Sequence, residues 1–317
     1  MKLDTARVQS IIETSYKLKP DKLYMSELKW KYLVRSAMRG KNILLIGSTG
    51  QGKTLSVKCL RDALAHSGDV RELFVINMGA TQDSRASLIG NTHFSKDTGT
   101  FFSPSPFVSA ITTPNSIVLL DELSRANPDA SNILMTVLDP IQRYLRLDEK
   151  LGGEIVNVAE NVTFVATANV GNEYTATRVM DRALIDRFTV KIEMDIPVLE
   201  DELNLVKLHC PEANMDIMES IVNIANTTRG FTKEGKLSKF VSTRSVIEMA
   251  ELSVDGFSLV EMAEMVIYPD YPDDGGVDSE RTMVKQAVQK YIKESEDKAA
   301  WPSTPKNIPP DEEDPPF

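Results

Sequence analysis

The segment Gly47-Ser48-Thr49-Gly50-Gln51-Gly52-Lys53-Thr54 reads G-x-x-x-x-G-K-T and follows directly on the apolar run Ile43-Leu44-Leu45-Ile46. No other feature constrains the fold so tightly, because this pattern carries meaning only with a buried strand in front and an amphipathic helix behind. The helix is legible: apolar residues recur at Val57, Leu60 and Leu64, with Cys59 and Ala63 beside them, and Gly68 offers a stop. In that setting the glycines let backbone N–H groups wrap a triphosphate, and the helix N-terminus adds favourable partial charge. Lys53 reads as the cation beside the β- and γ-phosphates, and the Thr54 hydroxyl as one position in the coordination of Mg²⁺. A glycine-rich turn without chemical meaning does not account for strand, loop, Lys-Thr and helix falling in register. The pattern predicts a site for a nucleoside triphosphate.

A second motif supports it. Ser116-Ile117-Val118-Leu119-Leu120-Asp121-Glu122 is an apolar strand ending in two carboxylates, which places them at the carboxyl end of the strand, beside the phosphate loop in sheets of this class. Asp121 is the candidate to hold Mg²⁺, directly or through water. Glu122 is the candidate to polarise an attacking water, since hydrolysis needs a base within hydrogen-bond reach of its nucleophile. Three further residues stand at suitable places. Asn169 ends the run Thr163-Phe164-Val165-Ala166-Thr167-Ala168, where an amide can hold the water or a γ-phosphate oxygen; locally it also suits a turn before Gly171. Arg187 lies at the junction of a helix and the next strand, where a solvated helix end is the plainer reading. Arg244 opens a helix for which Ser242 is a good N-cap, and surface charge accounts for it equally well.

Strand-like runs continue along the chain at Leu73-Phe74-Val75-Ile76, Val162–Ala166 and Phe188–Ile192. Each is short, β-branched and nearly continuous in apolar character, as expected of parallel strands covered on both faces. The expected architecture is α/β: a parallel sheet over residues 41–197, followed by a small all-helical domain over 198–293. Residues 1–40 read as a helical segment with Leu23, Leu28, Tyr32 and Leu33 on its apolar face. Residues 294–317 carry seven acids against two lysines and, from Pro302, six prolines, a composition that builds no core and reads as a disordered tail. A length of 317 residues fits more than one domain. No apolar run approaches membrane-spanning length and the first residues show no signal-peptide pattern. Cys59 and Cys210 lack metal-ligand spacing and read as reduced thiols, so the expected location is cytoplasmic. The net charge of −10 argues against a broad nucleic-acid surface.

The order of these parts resembles an AAA+ ATPase. More narrowly, the stretch from about Tyr24 to Tyr268 is similar to the MoxR family, close to its CbbQ/NorQ branch. The most specific resemblance is Ser87-Leu88-Ile89-Gly90, then His93–Phe102 and Ser105-Pro106-Phe107-Val108-Ser109-Ala110-Ile111, which is similar to the insert that interrupts helix 2 of that family's core. The Asp97-Thr98-Gly99 turn between aromatic-bearing flanks independently suggests a hairpin. Asp121-Glu122-Leu123-Ser124-Arg125-Ala126 looks like the family's Asp-Glu-Ile-x-Arg-Ala. The resemblance implies ATP as the nucleotide, Asn169 as sensor 1, Arg187 as an arginine finger and Arg244 as sensor 2. It also implies Asn77 as a polar residue restraining Glu122, and Arg182 as a second intersubunit arginine. Gln51 stands where the family has a small residue, and Ser105 where it has glycine. The resemblance further implies a homo-hexameric ring that remodels a client protein, often with a von Willebrand A domain partner. A nucleic-acid motor and a nucleotide-switched scaffold with little turnover are the alternatives. The acidic balance and the hairpin's single Lys96 count against the first, and the full set of candidate catalytic residues against the second.

Overall fold

Alternation along the strands decides the layers. In the computed structural model, which describes residues 5–80, 83–96, 99–150, 152–169 and 180–292, strand β1 (Ile43–Ile46) sends Leu44 to one face and Ile43 and Leu45 to the other. β5 (Ser116–Asp121) does the same, with Val118 and Leu120 on one side and Ile117 and Leu119 on the other. Successive strand residues face opposite ways, so a run apolar at every position needs a core on both sides. The two cores are present, and each fully buried large aliphatic or aromatic side chain contributes about 1.5–3 kcal/mol to holding them.

The strands are β1, β2 (Glu72–Asn77), the pair β3 (Gly90–Ser95) and β4 (Gly99–Pro104), β5, the pair β6 (Tyr144–Leu147) and β7 (Glu154–Asn157), β8 (Thr163–Ala168) and β9 (Val190–Glu193). Five of them form one parallel sheet in the order β2-β5-β8-β1-β9. β8 therefore stands between β1, which leads into the phosphate loop, and β5, which ends in Asp121. The two remaining pairs are antiparallel hairpins outside the sheet.

Helices α1 (Thr5–Ser15), α2 (Glu27–Met38) and α3 (Lys53–His66) cover one face of the sheet. In α3 the predicted apolar stripe of Val57, Cys59, Leu60, Ala63 and Leu64 is buried throughout, and Gly68 follows at φ 77°. In α2 the helix is where the pattern placed it but the buried stripe is different. Leu28 is 79% exposed and Tyr32 also faces out, while Trp30, Leu33, Val34, Ala37 and Met38 go inward. Trp30 anchors this stripe, its indole N–H donating to Ser15 O at 2.9 Å. Leu23 is buried but precedes the helix.

The short helix α4 (Ser84–Leu88), α5 (Pro106–Thr112), α6 (Pro128–Val137) and α7 (Arg182–Asp186) belong with the other face. The β3–β4 hairpin emerges between α4 and α5, and its close does not depend on glycine at position 105. Ser105 N–H donates to Ile89 O at 3.1 Å, and Ser105 stands at the N-cap position of α5 without a side-chain capping bond. The tight position is Gly90, at φ 127°, where a Cβ would lie 2.2 Å from Ser103 O. Of the turn expected at Asp97-Thr98-Gly99, Asp97 and Thr98 lie outside the described residues. The last sheet strand begins at Val190, because Phe188 instead closes the last turn of α7 on Ile185 O.

The chain divides into two compact units. The first runs through His209, taking in α8 (Leu199–His209), and includes Ser242–Arg244. The second comprises Cys210–Val241 and the chain from Ser245 on, and its described residues contain helices and no strand: α9 (Met215–Lys233), most of α10 (Thr243–Val254), α11 (Leu259–Met262) and α12 (Glu280–Gln289). The segment 293–317, which holds the acidic stretch, lies outside the described residues.

Candidate active site

The phosphate loop bends where its glycines sit. Gly50 and Gly52 have φ 81° and 77°, a backbone region L side chains rarely adopt, and a Cβ at Gly50 would meet Ser242 Oγ at 2.9 Å. Ser242 and Arg244, nearly two hundred residues on, thus pack directly on the loop, and a Gly50 side chain would lie 3.3 Å from Arg244 Cβ. Gln51 turns inward: its Oε1 accepts Ser48 N–H at 2.7 Å, and fills the space a Cβ on Gly47 would take. Lys53 opens α3, and its ammonium donates to Gly47 O at 2.8 Å and Ser48 O at 2.7 Å. Burial pushes the Lys53 ammonium down to about 8; Asp121 opposes the shift, Arg244 adds to it and Glu122 opposes it. A cation held in this desolvated state is one that an incoming phosphate chain stabilises.

The carboxylates arrive from the middle of the sheet. Thr54 Oγ1 lies 3.1 Å from both Asp121 oxygens, so the hydroxyl and carboxylate predicted to share a cation face one another directly. Thr167, near the end of the neighbouring strand β8, also holds Asp121: its hydroxyl donates to Asp121 Oδ1 at 2.5 Å and accepts Glu122 N–H at 2.9 Å. Glu122 itself has φ 58° and ψ 40°, unusual for a residue with a side chain and worth of order 1–3 kcal/mol of strain. Its carboxylate pairs with Arg125 at 3.1 Å and lies over Gly79, where a Cβ would come within 2.4 Å of Oε2. Asn77 is adjacent, its Oδ1 accepting Gly79 N–H at 3.0 Å and Ala80 N–H at 3.2 Å.

The remaining predicted residues divide. Asn169 follows β8, and its N–H donates to Ser124 Oγ at 3.3 Å. Arg244 is brought to the loop. Arg187 is not: it pairs with Asp139 at 3.3 Å, its Nε is buried without a hydrogen-bond partner, and its carbonyl accepts from Asn42 Nδ2 at 3.0 Å. The N–H groups of Ile141 and Gln142 hold the Asp139 carboxyl below the usual range, Arg187 adding to the effect. Arg182 begins α7 and is exposed. Thr167 and Asp139 are contacts the sequence pattern did not single out, and Arg125 stood there only as the arginine of the Asp-Glu-Ile-x-Arg-Ala resemblance, with no role attached. A signal for Thr167 existed, a threonine near the end of a largely apolar strand; nothing local marks Asp139.

These residues fit a Mg²⁺–triphosphate. The loop is shaped by glycines that a side chain would strain, a lysine is held within it, and the oxygen donors of Thr54 and Asp121 are the hard ligands Mg²⁺ takes. Among the described residues no group of three or more His, Cys, Asp or Glu is placed to hold a metal ion. No helix among the described residues is long and apolar enough to cross a membrane.

Comparison with known proteins agrees with this geometry. Residues 42–188 match the family described as AAA domain (dynein-related subfamily), and residues 202–290 match the CbbQ/NirQ/NorQ C-terminal family. An uncharacterized protein of Staphylococcus saprophyticus is 32% identical over 219 residues, spanning 67% of this chain and 78% of its own length. The candidate chaperone BssE of Thauera aromatica is 31% identical over 223 residues, 69% of this chain and 72% of its own. An uncharacterized Staphylococcus epidermidis protein is 29% identical over 218 residues, 67% of this chain and 78% of its own. With a phosphate loop, an Asp-Glu strand and a CbbQ-type helical region in one chain, the protein belongs to the AAA+ ATPases, in the MoxR family near its CbbQ/NorQ branch.

Proposed function

We propose that this chain hydrolyses ATP and uses the cycle to remodel a partner protein, working as a head-to-tail ring. The observation that carries the hydrolytic part is the convergence of Lys53, Thr54, Asp121 and Glu122 around one loop, with Arg244 packed against it. In this reading backbone N–H groups of residues 50–54 and the Lys53 ammonium bind the phosphates. Bound Mg²⁺, held through Thr54 and Asp121, would neutralise charge on the phosphate oxygens. Glu122 accepts a proton from the attacking water once its carboxylate leaves Arg125, and Asn169 helps hold that water.

The ring rests on Arg187. A phosphoryl-transfer site gains from a cation that meets charge developing on the γ-phosphate, and an arginine supplied by a neighbour is worth about 10³-fold or more. Arg187 is tied to Asp139 in its own chain rather than to its own loop, which suits delivery to another subunit's site. Such a contact is heterologous and closes into a ring or grows into a helix; a hexamer is the family expectation. Work on a protein client is supported by the relative named as a candidate chaperone and by Phe94, 76% exposed, and Phe101 on the β3–β4 hairpin. The test is phosphate release from ATP by wild type, Lys53→Ala and Glu122→Gln. Lys53→Ala should lose nucleotide binding, whereas Glu122→Gln should bind ATP and turn it over at least about a hundredfold more slowly. Turnover by Glu122→Gln at the wild-type rate would remove Glu122 from its role.

A further inference from the structure

In the sheet order, β8 separates the strand that leads into the phosphate loop from the strand that ends in Asp121 and Glu122. Leu120 pairs with Ala166, so the next residues along, Asp121 and Thr167, come side by side at the carboxyl edge. Thr167 is 1% exposed. Its hydroxyl has one proton and accepting lone pairs, and both capacities are used here: the proton goes to Asp121 Oδ1 at 2.5 Å, and a lone pair receives Glu122 N–H at 2.9 Å. Asp121 in turn faces the Thr54 hydroxyl at 3.1 Å. One chain of polar contacts thus runs from Thr54 through Asp121 and Thr167 to the backbone of Glu122. That backbone is the one with φ 58°, a conformation that persists only where its surroundings impose it.

We propose that Thr167 is a positioning residue for the hydrolytic reaction: it orients the Asp121 carboxylate toward the cation site and fixes the backbone that carries the Glu122 base. The proposal rests on the ATPase reading above. Valine has the same shape as threonine but offers neither half of the contact. Thr167→Val would remove one of the two hydroxyls that hold Asp121 and leave the part-buried Glu122 N–H without its acceptor, and a donor withdrawn from water is costly to orphan. Residues that orient a metal ligand in this way are worth about 10–100-fold in metal affinity or activity when removed.

The experiment compares wild type, Thr167→Val and Thr167→Ser in three measurements: ADP binding in EDTA, Mg²⁺ affinity of the ADP-loaded protein, and steady-state ATP hydrolysis. Expected for Thr167→Val is metal-free ADP binding like that of wild type, Mg²⁺ affinity and kcat each about 10–100-fold lower, and KM for ATP little changed. Thr167→Ser, which keeps the hydroxyl and loses only a methyl, should restore both quantities to near wild type. Wild-type Mg²⁺ affinity and kcat in Thr167→Val would overturn the proposal. So would equal damage in Thr167→Ser, or loss of metal-free ADP binding in parallel, because either points to packing rather than the hydroxyl. If Thr167→Val does not fold, Thr167→Ala takes its place under the same criteria. If wild type binds Mg²⁺ and nucleotide but releases no phosphate, the ATPase reading fails, while the Mg²⁺ measurements still decide whether Thr167 orients Asp121.

Discussion

Lys53 is expected to make nucleotide binding a proton-linked event. Burial lowers its ammonium to about 8 in the free site. A bound diphosphate places negative charge against it, favouring the protonated form, so binding must draw in the missing proton. The sign follows directly. Below pH 8 the lysine is already charged and uptake is small; above pH 8 it is largely neutral and nearly a whole proton is taken up. With a free value near 8, uptake per ADP is roughly 0.1 at pH 7, 0.5 at pH 8 and 0.9 at pH 9. The apparent Kd for ADP weakens by about tenfold between pH 7 and 9, equivalent to about 1.4 kcal/mol. ADP is the better ligand for this measurement because it has no γ-phosphate for the protein to hydrolyse during the titration. The assay is calorimetric titration at each pH in two buffers of different ionisation enthalpy, the difference in heat giving the protons exchanged. Arg244→Ala removes one contribution that lowers Lys53, and should move the uptake curve to higher pH. A Kd and proton count that stay flat from pH 7 to 9 would refute the reasoning, since they would mean that Lys53 is fully charged before the phosphate arrives.

Two other outcomes are expected. Arg187→Ala and Lys53→Ala should each be inactive alone, yet mixed assemblies should regain part of the ATPase activity by pairing an intact loop with an intact arginine; no recovery despite confirmed co-assembly counts against Arg187 acting between subunits. On the hairpin, Phe102 is half-buried and packs against the core whereas Phe94 and Phe101 do not, so Phe102→Ser should cost about 1–2 kcal/mol in chemical denaturation and Phe94→Ser almost nothing; equal costs would mean that the whole hairpin is packed down.

The loop from Gly47 to Thr54, its flanking strand and helix, the Asp-Glu strand and the β3–β4 hairpin were all legible in the chain. Each is a local pattern, because turn glycines, apolar period and a helix start depend on residues within about one turn or strand of each other. The β6–β7 hairpin was legible in principle: Leu145 and Leu147 are buried on either side of exposed Arg146, and Gly152-Gly153 precedes the returning strand. It lay unread among stronger signals.

Tertiary structure decided the rest. An apolar run announces a strand covered on both faces but not which strand lies beside it. Only the order β2-β5-β8-β1-β9 sets Thr167 beside Asp121 and Glu122 and brings its hydroxyl onto both. Helical period gave α2, but its buried face turned on where Trp30 could reach Ser15, so Leu28 and Tyr32 face outward. Arg187 and Arg244 are alike in sequence, each an arginine at a helix end. Chain contacts separate them, one drawn to Asp139 and the other laid against Gly50. A charge's role depends on what stands within a few ångströms of it, and in this chain the decisive neighbours are tens to hundreds of residues away.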